Sequence, residues 1–190
     1  MKYDKNQTLT RGAKRTLQAF NRALFELLQC QSFDCIKVQA ICQLADYPRA
    51  TFYNYFGDKY DLLEYSWSEI FNEITVENHV LLEPQEAFPL FFNHAYDFFV
   101  QKQSIIQRLL QYNPTTSSLY FSFEQYTIRE LEKVFQDCIN FEHQPVSISL
   151  LSRHIANTIL LVLIDNLSSK NPKSRDECYK CFHYLLGKKW

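Results

Sequence analysis

The stretch Arg49–Leu63, RATFYNYFGDKYDLL, decides the fold of this chain. Phe52 and Phe56 lie one helical turn apart, so a short helix directs both rings to the same side, towards a core. The pair GD at 57–58 interrupts the helical pattern, and Lys59 begins a longer helix with apolar residues at its end. The stretch therefore predicts a short helix, a sharp turn and a long helix.

Two helical segments precede this stretch. Apolar residues recur at steps of three and four between residues 10 and 29, which is typical of an amphipathic helix. After a polar break, in which Asp34 is a candidate cap, the same spacing predicts a short helix at about 38–45. The sequence DYP at 46–48 ends that helix, because proline disfavours helical geometry in the residue before it. Two short helices joined in this way are the plan of a helix-turn-helix.

The second short helix carries a distinctive set of side chains opposite its two phenylalanines. They comprise a guanidinium, a methyl, two hydroxyls and an amide, and such groups contact base edges and phosphates in DNA grooves. The residues are Arg49, Ala50, Thr51, Tyr53 and Asn54.

Charge is distributed unevenly along the chain. The net charge of the 190 residues is −1, but residues 1–63 contain nine Lys and Arg against six Asp and Glu, whereas the remainder contains eleven against fifteen. Phosphate neutralisation needs local rather than global positive charge. The N-terminal part is therefore the part that we expect to approach a polyanion.

Composition narrows the fold class. Hydrophobic residues make up 46%, with 16 Phe and 12 Tyr, so the chain can build a core. Three glycines cannot build Rossmann or P-loop phosphate sites, and with the long helical patterns they favour an all-α fold of about nine helices. The polar start and a longest apolar run of six residues, at 159–164, predict a soluble cytoplasmic protein with reduced cysteines.

Three segments together resemble the TetR/AcrR family of bacterial regulators. They are Phe33–Cys42 (FDCIKVQAIC), Arg49–Phe56 (RATFYNYF) and Asp58–Leu63 (DKYDLL), and the spacing Thr-Phe-Tyr-x-Tyr-Phe-x-x-Lys-x-x-Leu makes the match specific. The resemblance covers about residues 9–69. It implies a DNA-binding domain at 9–69, with its helix-turn-helix at about 32–56, and an effector-binding and dimerisation domain at 70–190.

The resemblance also implies a function. A homodimer would place its two recognition helices in successive major grooves of a pseudo-palindromic double-stranded DNA operator and would act as a repressor that responds to an unknown small-molecule effector. Eight residues match DNA-contacting positions of the family. They are Lys37, Gln39, Arg49, Ala50, Thr51, Tyr53, Tyr55 and Lys59.

Individual roles follow from the matched positions. Arg49, Ala50 and Thr51 would meet bases, whereas the tyrosines would meet phosphates. The Lys59 ammonium would bind a phosphate together with the N-terminus of its helix. Lys37 replaces a threonine that commonly caps the first short helix, and a lysine cannot cap. Asp46 replaces the usual glycine of the turn, which is acceptable because aspartate visits the left-handed region more readily than most residues.

Aromatic residues are dense after the long helix, which we expect to run to about residue 82. Pro84 and Pro89 predict a break, and the segment Phe88–Val100, FPLFFNHAYDFFV, has aromatics around most of a helical wheel. These rings form either a plain core or an apolar pocket for the effector. The candidate pocket residues are Phe92, His94, Tyr96, Phe99, Tyr112 and Tyr126.

The last two predicted helices, at 147–167 and 173–186, carry the most apolar stripe. In the family such helices pair with those of a second copy, and the alternative is a core within one chain. The candidate interface residues are Ile155, Ile159, Val162, Leu163, Cys178 and Phe182.

Cys178-x-x-Cys181 with His183 invites a metal or redox interpretation, which Cys138 and His143 could complete. Structural zinc sites usually have two clear ligand pairs, so we predict core cysteines, no metal and no cofactor. The sequence lacks HExxH and GxSxG motifs and paired carboxylates, so we do not expect an enzyme. A second hypothesis is a TetR-like co-activator or interaction subunit that works mainly through a protein partner.

Overall fold

The computed structural model describes residues 9–74, 84–138 and 146–187 of the chain. Within these ranges it contains nine α-helices, a short 3₁₀ turn and no strand, so the predicted all-α fold is confirmed. The helices are α1 (Arg11–Leu28), α2 (Val38–Ala45), α3 (Arg49–Tyr55), α4 (Lys59–Ile74), α5 (Pro84–Gln101), α6 (Gln103–Tyr112), α7 (Ser118–Cys138), α8 (Ile148–Ser168) and α9 (Arg175–Leu185). We call the 3₁₀ segment Phe33–Cys35, between α1 and α2, the Phe33 turn.

Side-chain caps set where three of the helices begin. The Thr10 hydroxyl accepts from the Ala13 amide (3.2 Å) and caps α1, and the Ser147 hydroxyl accepts from the Leu150 amide (3.2 Å) and caps α8. Ser174 forms a capping box with Glu177 at α9. Each cap satisfies an amide that has no partner within its helix.

Pro84 and Pro89 do not break the chain as predicted. Helix α5 begins at Pro84 and contains Pro89. Proline suits the first helical position because that residue needs no amide hydrogen bond, and Pro89, in the second turn, removes only one. The predicted break between the two prolines is therefore wrong.

The chain divides into two compact units. The first comprises Met1–Ile70 with Arg108–Tyr120, and the second comprises Phe71–Gln107 with Phe121–Trp190. The division falls inside α4, α6 and α7, so each of these helices has residues in both units. The sequence-based division assigned 108–120 to the regulatory domain, whereas this segment packs with the helix-turn-helix.

The core of the first unit gathers around Phe20 of α1, which is fully buried. Its ring lies 5.3 Å from that of Phe52 and 6.3 Å from that of Phe56, measured between centroids, and both contacts are edge-to-face. Phe52 and Phe56 are 0% and 1% exposed, so their predicted place in the core is confirmed. Helix α3 is thus fixed by one face, which leaves its other face to solvent.

Helix α8 is the central helix of the second unit. The six residues proposed from sequence as a dimer interface, on α8 and α9, are between 0% and 7% exposed within their own chain. Side chains that their own chain already covers have no area to offer a partner, so that assignment is corrected to intrachain core. The six are Ile155, Ile159, Val162, Leu163, Cys178 and Phe182.

Helix α8 also has the length and the mean hydropathy, 1.4, of a membrane-spanning helix, a property that the longest apolar run did not reveal. One face is buried in the second unit, and the other exposes Arg153, His154, Asn157 and Asp165. The core helix of a globular unit meets the same length and composition criteria, so this property alone is weak evidence for a membrane span.

Candidate nucleic-acid interface

The turn between α2 and α3 orients the candidate reading helix. Asp46 ends α2 in the left-handed conformation (φ 57°, ψ 44°), so the expectation for this position is confirmed. The Tyr47 amide then donates to the Cys42 carbonyl at 3.1 Å, which closes the turn. Pro48 caps α3 through its carbonyl, to which the Thr51 amide donates at 2.9 Å.

The face of α3 opposite the core is open to solvent. Arg49, Ala50 and Asn54 are exposed, and Tyr53 is 45% exposed. Thr51 and Tyr55 are half-buried. These six residues, with buried Phe52, make up the whole of this seven-residue helix, and the exposed ones offer a guanidinium, a methyl, a hydroxyl and an amide.

Arg49 and Tyr53 interact along this face, one turn apart. The Arg49 guanidinium donates from Nη2 to the Tyr53 hydroxyl at 3.2 Å, and this hydrogen bond raises the pKa of Arg49. The Tyr53 ring in turn packs edge-to-face on buried Phe52, with centroids 5.5 Å apart. A guanidinium has five donors, so four remain for other acceptors while one is bound to the tyrosine.

Helix α2 lies before this face in the chain and exposes Gln39, with Lys37 exposed at its N-cap position. No side chain among the described residues caps α2, which agrees with the expectation for lysine at this position. The Lys37 ammonium therefore stands in solvent at the start of a helix of the motif.

Lys59 has a different environment. Its ammonium donates to three backbone carbonyls, those of Phe33 (2.8 Å), Asp34 (3.1 Å) and Ile36 (3.0 Å). It also lies 4.6 Å from the centroid of the Phe33 ring. An ammonium has three N–H donors, and here each has an acceptor within the chain. Lys59 thus closes the carbonyl end of the Phe33 turn.

The N-terminus of α4, predicted to bind a phosphate with Lys59, is capped by carboxylates. The Asp58 carboxylate accepts from the amides of Tyr60 (2.8 Å) and Asp61 (3.0 Å), and the Asp61 carboxylate accepts from the Gly57 amide (2.7 Å). Acidic groups at a helix N-terminus offset the positive end of the helix dipole. A phosphate would meet negative charge here.

Asn113, which the sequence did not single out, holds the Phe33 turn from the opposite side. Its side-chain oxygen accepts from the Phe33 amide at 2.8 Å, and its side-chain nitrogen donates to the carbonyls of Leu28 (3.3 Å) and Gln31 (3.4 Å). Asn113 is 2% exposed. The only sequence signal was the Pro- and Ser/Thr-rich loop 113–118, which predicts a connection but no contact eighty residues away.

Ser118 adds a second contact from the same loop. Its hydroxyl donates to the Asp34 carboxylate at 2.6 Å. Asp34 was a candidate cap for α2, but it lies in the Phe33 turn, so that prediction is wrong.

The second unit contains an apolar cavity of about 70 Å³ between α4, α5, α7 and α8. Its lining includes Phe71, Phe91, Phe99 and Leu163, with Thr127 and Glu130 as polar groups. Of the six predicted pocket residues, Phe99 lines this cavity.

The other five predicted pocket residues lie elsewhere. Phe92 stacks on Phe182 (5.0 Å between centroids), and Tyr126 packs on Phe71 (5.0 Å). The Tyr96 hydroxyl donates to the Lys173 carbonyl at 3.0 Å, and His94 is half-buried. Tyr112 is 41% exposed and belongs to the first unit. Aromatic density did not distinguish core rings from pocket rings.

The cysteine pair of α9 splits between core and surface. Cys178 is buried, and burial raises the pKa of its thiol to about 11, whereas Cys181 is half-buried. No three metal-ligating side chains gather anywhere in the described ranges. The side chain of Cys138 and residue His143 lie outside what the structure describes.

Comparisons with known proteins agree with the family resemblance that was predicted from the sequence. Residues 22–65 match the family model of "Bacterial regulatory proteins, tetR family", which confirms the resemblance for the helix-turn-helix. A TetR transcriptional regulator from Streptococcus agalactiae has the same fold (21% identity, 95% of this chain and 97% of that one, TM-score 0.63). No curated protein sequence matches this chain significantly.

Two further solved structures share the fold. The dihydroxyacetone kinase operon activator DhaS is 19% identical over 91% of this chain and 95% of its own, with a TM-score of 0.55. NalD, the secondary repressor of the MexAB-OprM multidrug efflux pump in Pseudomonas aeruginosa, is 18% identical over 92% and 97%, with a TM-score of 0.52. At such identities the likeness concerns the fold, and it includes an activator as well as a repressor.

Proposed function

We propose that this chain, which has the fold of TetR-family DNA-binding transcriptional regulators, is a cytoplasmic homodimeric repressor that binds a pseudo-palindromic operator and responds to a small molecule. The observation that carries the proposal is the open face of α3, whose opposite face is locked into the core by Phe52. A helix fixed in this way presents its polar side chains to a major groove at little entropic cost.

Arg49 is the principal base reader in this proposal. Its free donors can form a fork to the O6 and N7 atoms of a guanine, and Ala50 and the Thr51 methyl can contact a thymine methyl. Tyr53, Tyr55, Lys37 and Gln39 then meet the DNA backbone or adjacent base edges. Lys59 supports the motif from within, because binding a phosphate would require its ammonium to give up carbonyl partners.

The homodimer requires a surface other than the buried stripe. The exposed sides of α8 and α9 carry large apolar residues that a partner can cover, and they supply the candidate interface. They are Leu150 (56% exposed), Leu161 (61%), Tyr184 (74%) and Leu185 (48%). Exposed apolar area on neighbouring helices is typical of an isologous interface.

The cavity of the second unit is the candidate effector site. Its small volume and apolar lining suit a compact apolar ligand, with Thr127 and Glu130 able to orient a polar group. Binding there changes DNA affinity only if the ligand prefers one of two conformations of the dimer.

A selection from random duplex DNA tests the proposal. Wild type and Arg49→Ala are compared at one stated salt concentration. Enrichment of a pseudo-palindromic consensus by wild type, lost with Arg49→Ala, is the expected result. Lack of any enrichment, together with a stable heteromeric complex, would favour the interaction subunit instead.

A further inference from the structure

The Phe33 turn is held from both ends by residues distant in sequence. Asn113 binds its first amide, and Lys59 binds the carbonyls of Phe33 and Asp34 and that of the following residue, Ile36. The Phe33 ring is fully buried and meets Tyr60 edge-to-face at 5.2 Å. Backbone and side chain of Phe33 are thus both fixed.

The Asn113 amide cannot be replaced without loss. It lies in the interior, and its one acceptor and both donors find partners in the chain around the turn. An apolar substitute would leave the Phe33 amide and two carbonyls without this partner, and buried unsatisfied groups are costly. An aspartate would keep the acceptor but lose both donors.

Each residue that holds the turn lies at or next to the end of a helix. Asn113 follows α6 directly, Ser118 begins α7 and Lys59 begins α4. These are the three helices that have residues in both units. The turn itself leads into α2, since only Ile36 and Lys37 stand between Cys35 and the first residue of that helix.

We propose that Asn113 is a positioning residue for operator recognition: it fixes the Phe33 turn, and through it α2 and α3, relative to the α6–α7 loop. The inference rests on the proposed function. It adds that the free energies of operator binding and of ordering residues 108–120 are coupled, although no residue of that segment is a proposed DNA contact. Such coupling is reciprocal, so DNA must also stabilise the loop.

Hydrogen–deuterium exchange of the full chain, alone and with the selected operator duplex, tests the coupling. In wild type, operator should slow exchange in α3 and also in 108–120, by more than it slows exchange in α8. In Asn113→Ala the protection of α3 should remain at saturating DNA, whereas the protection of 108–120 is lost. Operator affinity should fall by roughly tenfold.

Matched variants separate positioning from stability. Gln111→Ala changes an exposed residue in the last turn of α6, two positions before Asn113, and should behave as wild type. Asn113→Ser introduces no charge and is too short to keep all three hydrogen bonds, so it serves if Asn113→Ala does not fold, and it should also lose the loop protection.

The outcomes are distinct. Operator-induced protection of α3 without protection of 108–120 in wild type would overturn this inference and leave the proposed function intact. Equal protection of the loop in wild type and in the folded Asn113 variants would also overturn it. Failure of every duplex to protect α3 would overturn the proposed function and this inference together.

Discussion

Arg49 and Lys59 are cations of the same sequence motif, yet the structure gives them opposite surroundings. Arg49 stands in solvent with one donor bound to Tyr53, whereas all three donors of Lys59 are bound to carbonyls of the Phe33 turn. Their charges do not differ, but the availability of their donors does. The motif therefore identifies both cations, and their hydrogen bonds separate the proposed DNA reader, Arg49, from Lys59, which supports the Phe33 turn.

Removing the Lys59 ammonium should have the largest effect, and the effect should be on stability. Lys59→Met leaves three carbonyls without their charged donor, so we expect a loss of about 2–3 kcal/mol in the free energy of unfolding. Urea unfolding of the full chain measures it. Lys37→Ala, a control in the same unit, should change the unfolding free energy by less than about 0.5 kcal/mol because Lys37 is exposed. Equal stability of Lys59→Met and wild type would contradict the supporting role.

Removing the Arg49 guanidinium should lower operator affinity and leave the free energy of unfolding unchanged. Arg49→Ala is expected to cost about 1–3 kcal/mol of operator affinity and to relax the preference at the base that Arg49 contacts. Fluorescence anisotropy with the selected operator and with a random duplex measures the difference. If both duplexes lose affinity equally, Arg49 contacts a phosphate and not a base.

The Arg49–Tyr53 contact offers a finer test. Tyr53→Phe removes the hydroxyl that accepts from Arg49 but keeps the ring on Phe52, so we expect a loss of about 0.5–1.5 kcal/mol of operator affinity. In a double-mutant cycle this loss should shrink when Arg49 is already alanine. Additive losses would show that the hydroxyl acts on DNA alone.

The smallest expected effect concerns the salt dependence of operator binding, which should differ between variants of Lys37 and Lys59. Lys37→Ala should reduce the slope of log affinity against log salt by about one, because one phosphate contact is lost. Lys59→Met, measured where it is folded, should keep the wild-type slope. A reduced slope for Lys59→Met would show that its ammonium reaches DNA after all.

Sequence patterns predicted the first unit better than the second. The short helices and the buried Phe52 and Phe56 follow from spacing within a few residues, whereas the expectation for left-handed Asp46 came from the family resemblance, and all of them are confirmed. The stripe on α8 was predicted equally well as apolar, but its partner was not predictable from periodicity. An apolar stripe specifies burial without saying whether the same chain or a second copy covers it.

Only some contacts of the candidate site can be predicted from the neighbouring sequence. Arg49 and Tyr53 lie one turn apart on a single helix, so their proximity is visible in the sequence. Asn113 meets Phe33 across eighty residues, and nothing in either neighbourhood indicates that contact. The same holds for Lys59, whose carbonyl partners lie more than twenty residues earlier.

The sequence by itself determined the all-α class, the helix-turn-helix and the chemistry of its exposed face, because helix periodicity, turn residues and side-chain types act over one or two turns. Only the tertiary structure decided which of the two motif cations keeps donors for other acceptors, which apolar stripe is core and which loop holds the Phe33 turn. Those outcomes depend on which distant donor satisfies which buried acceptor, and that pairing exists only once the chain has folded.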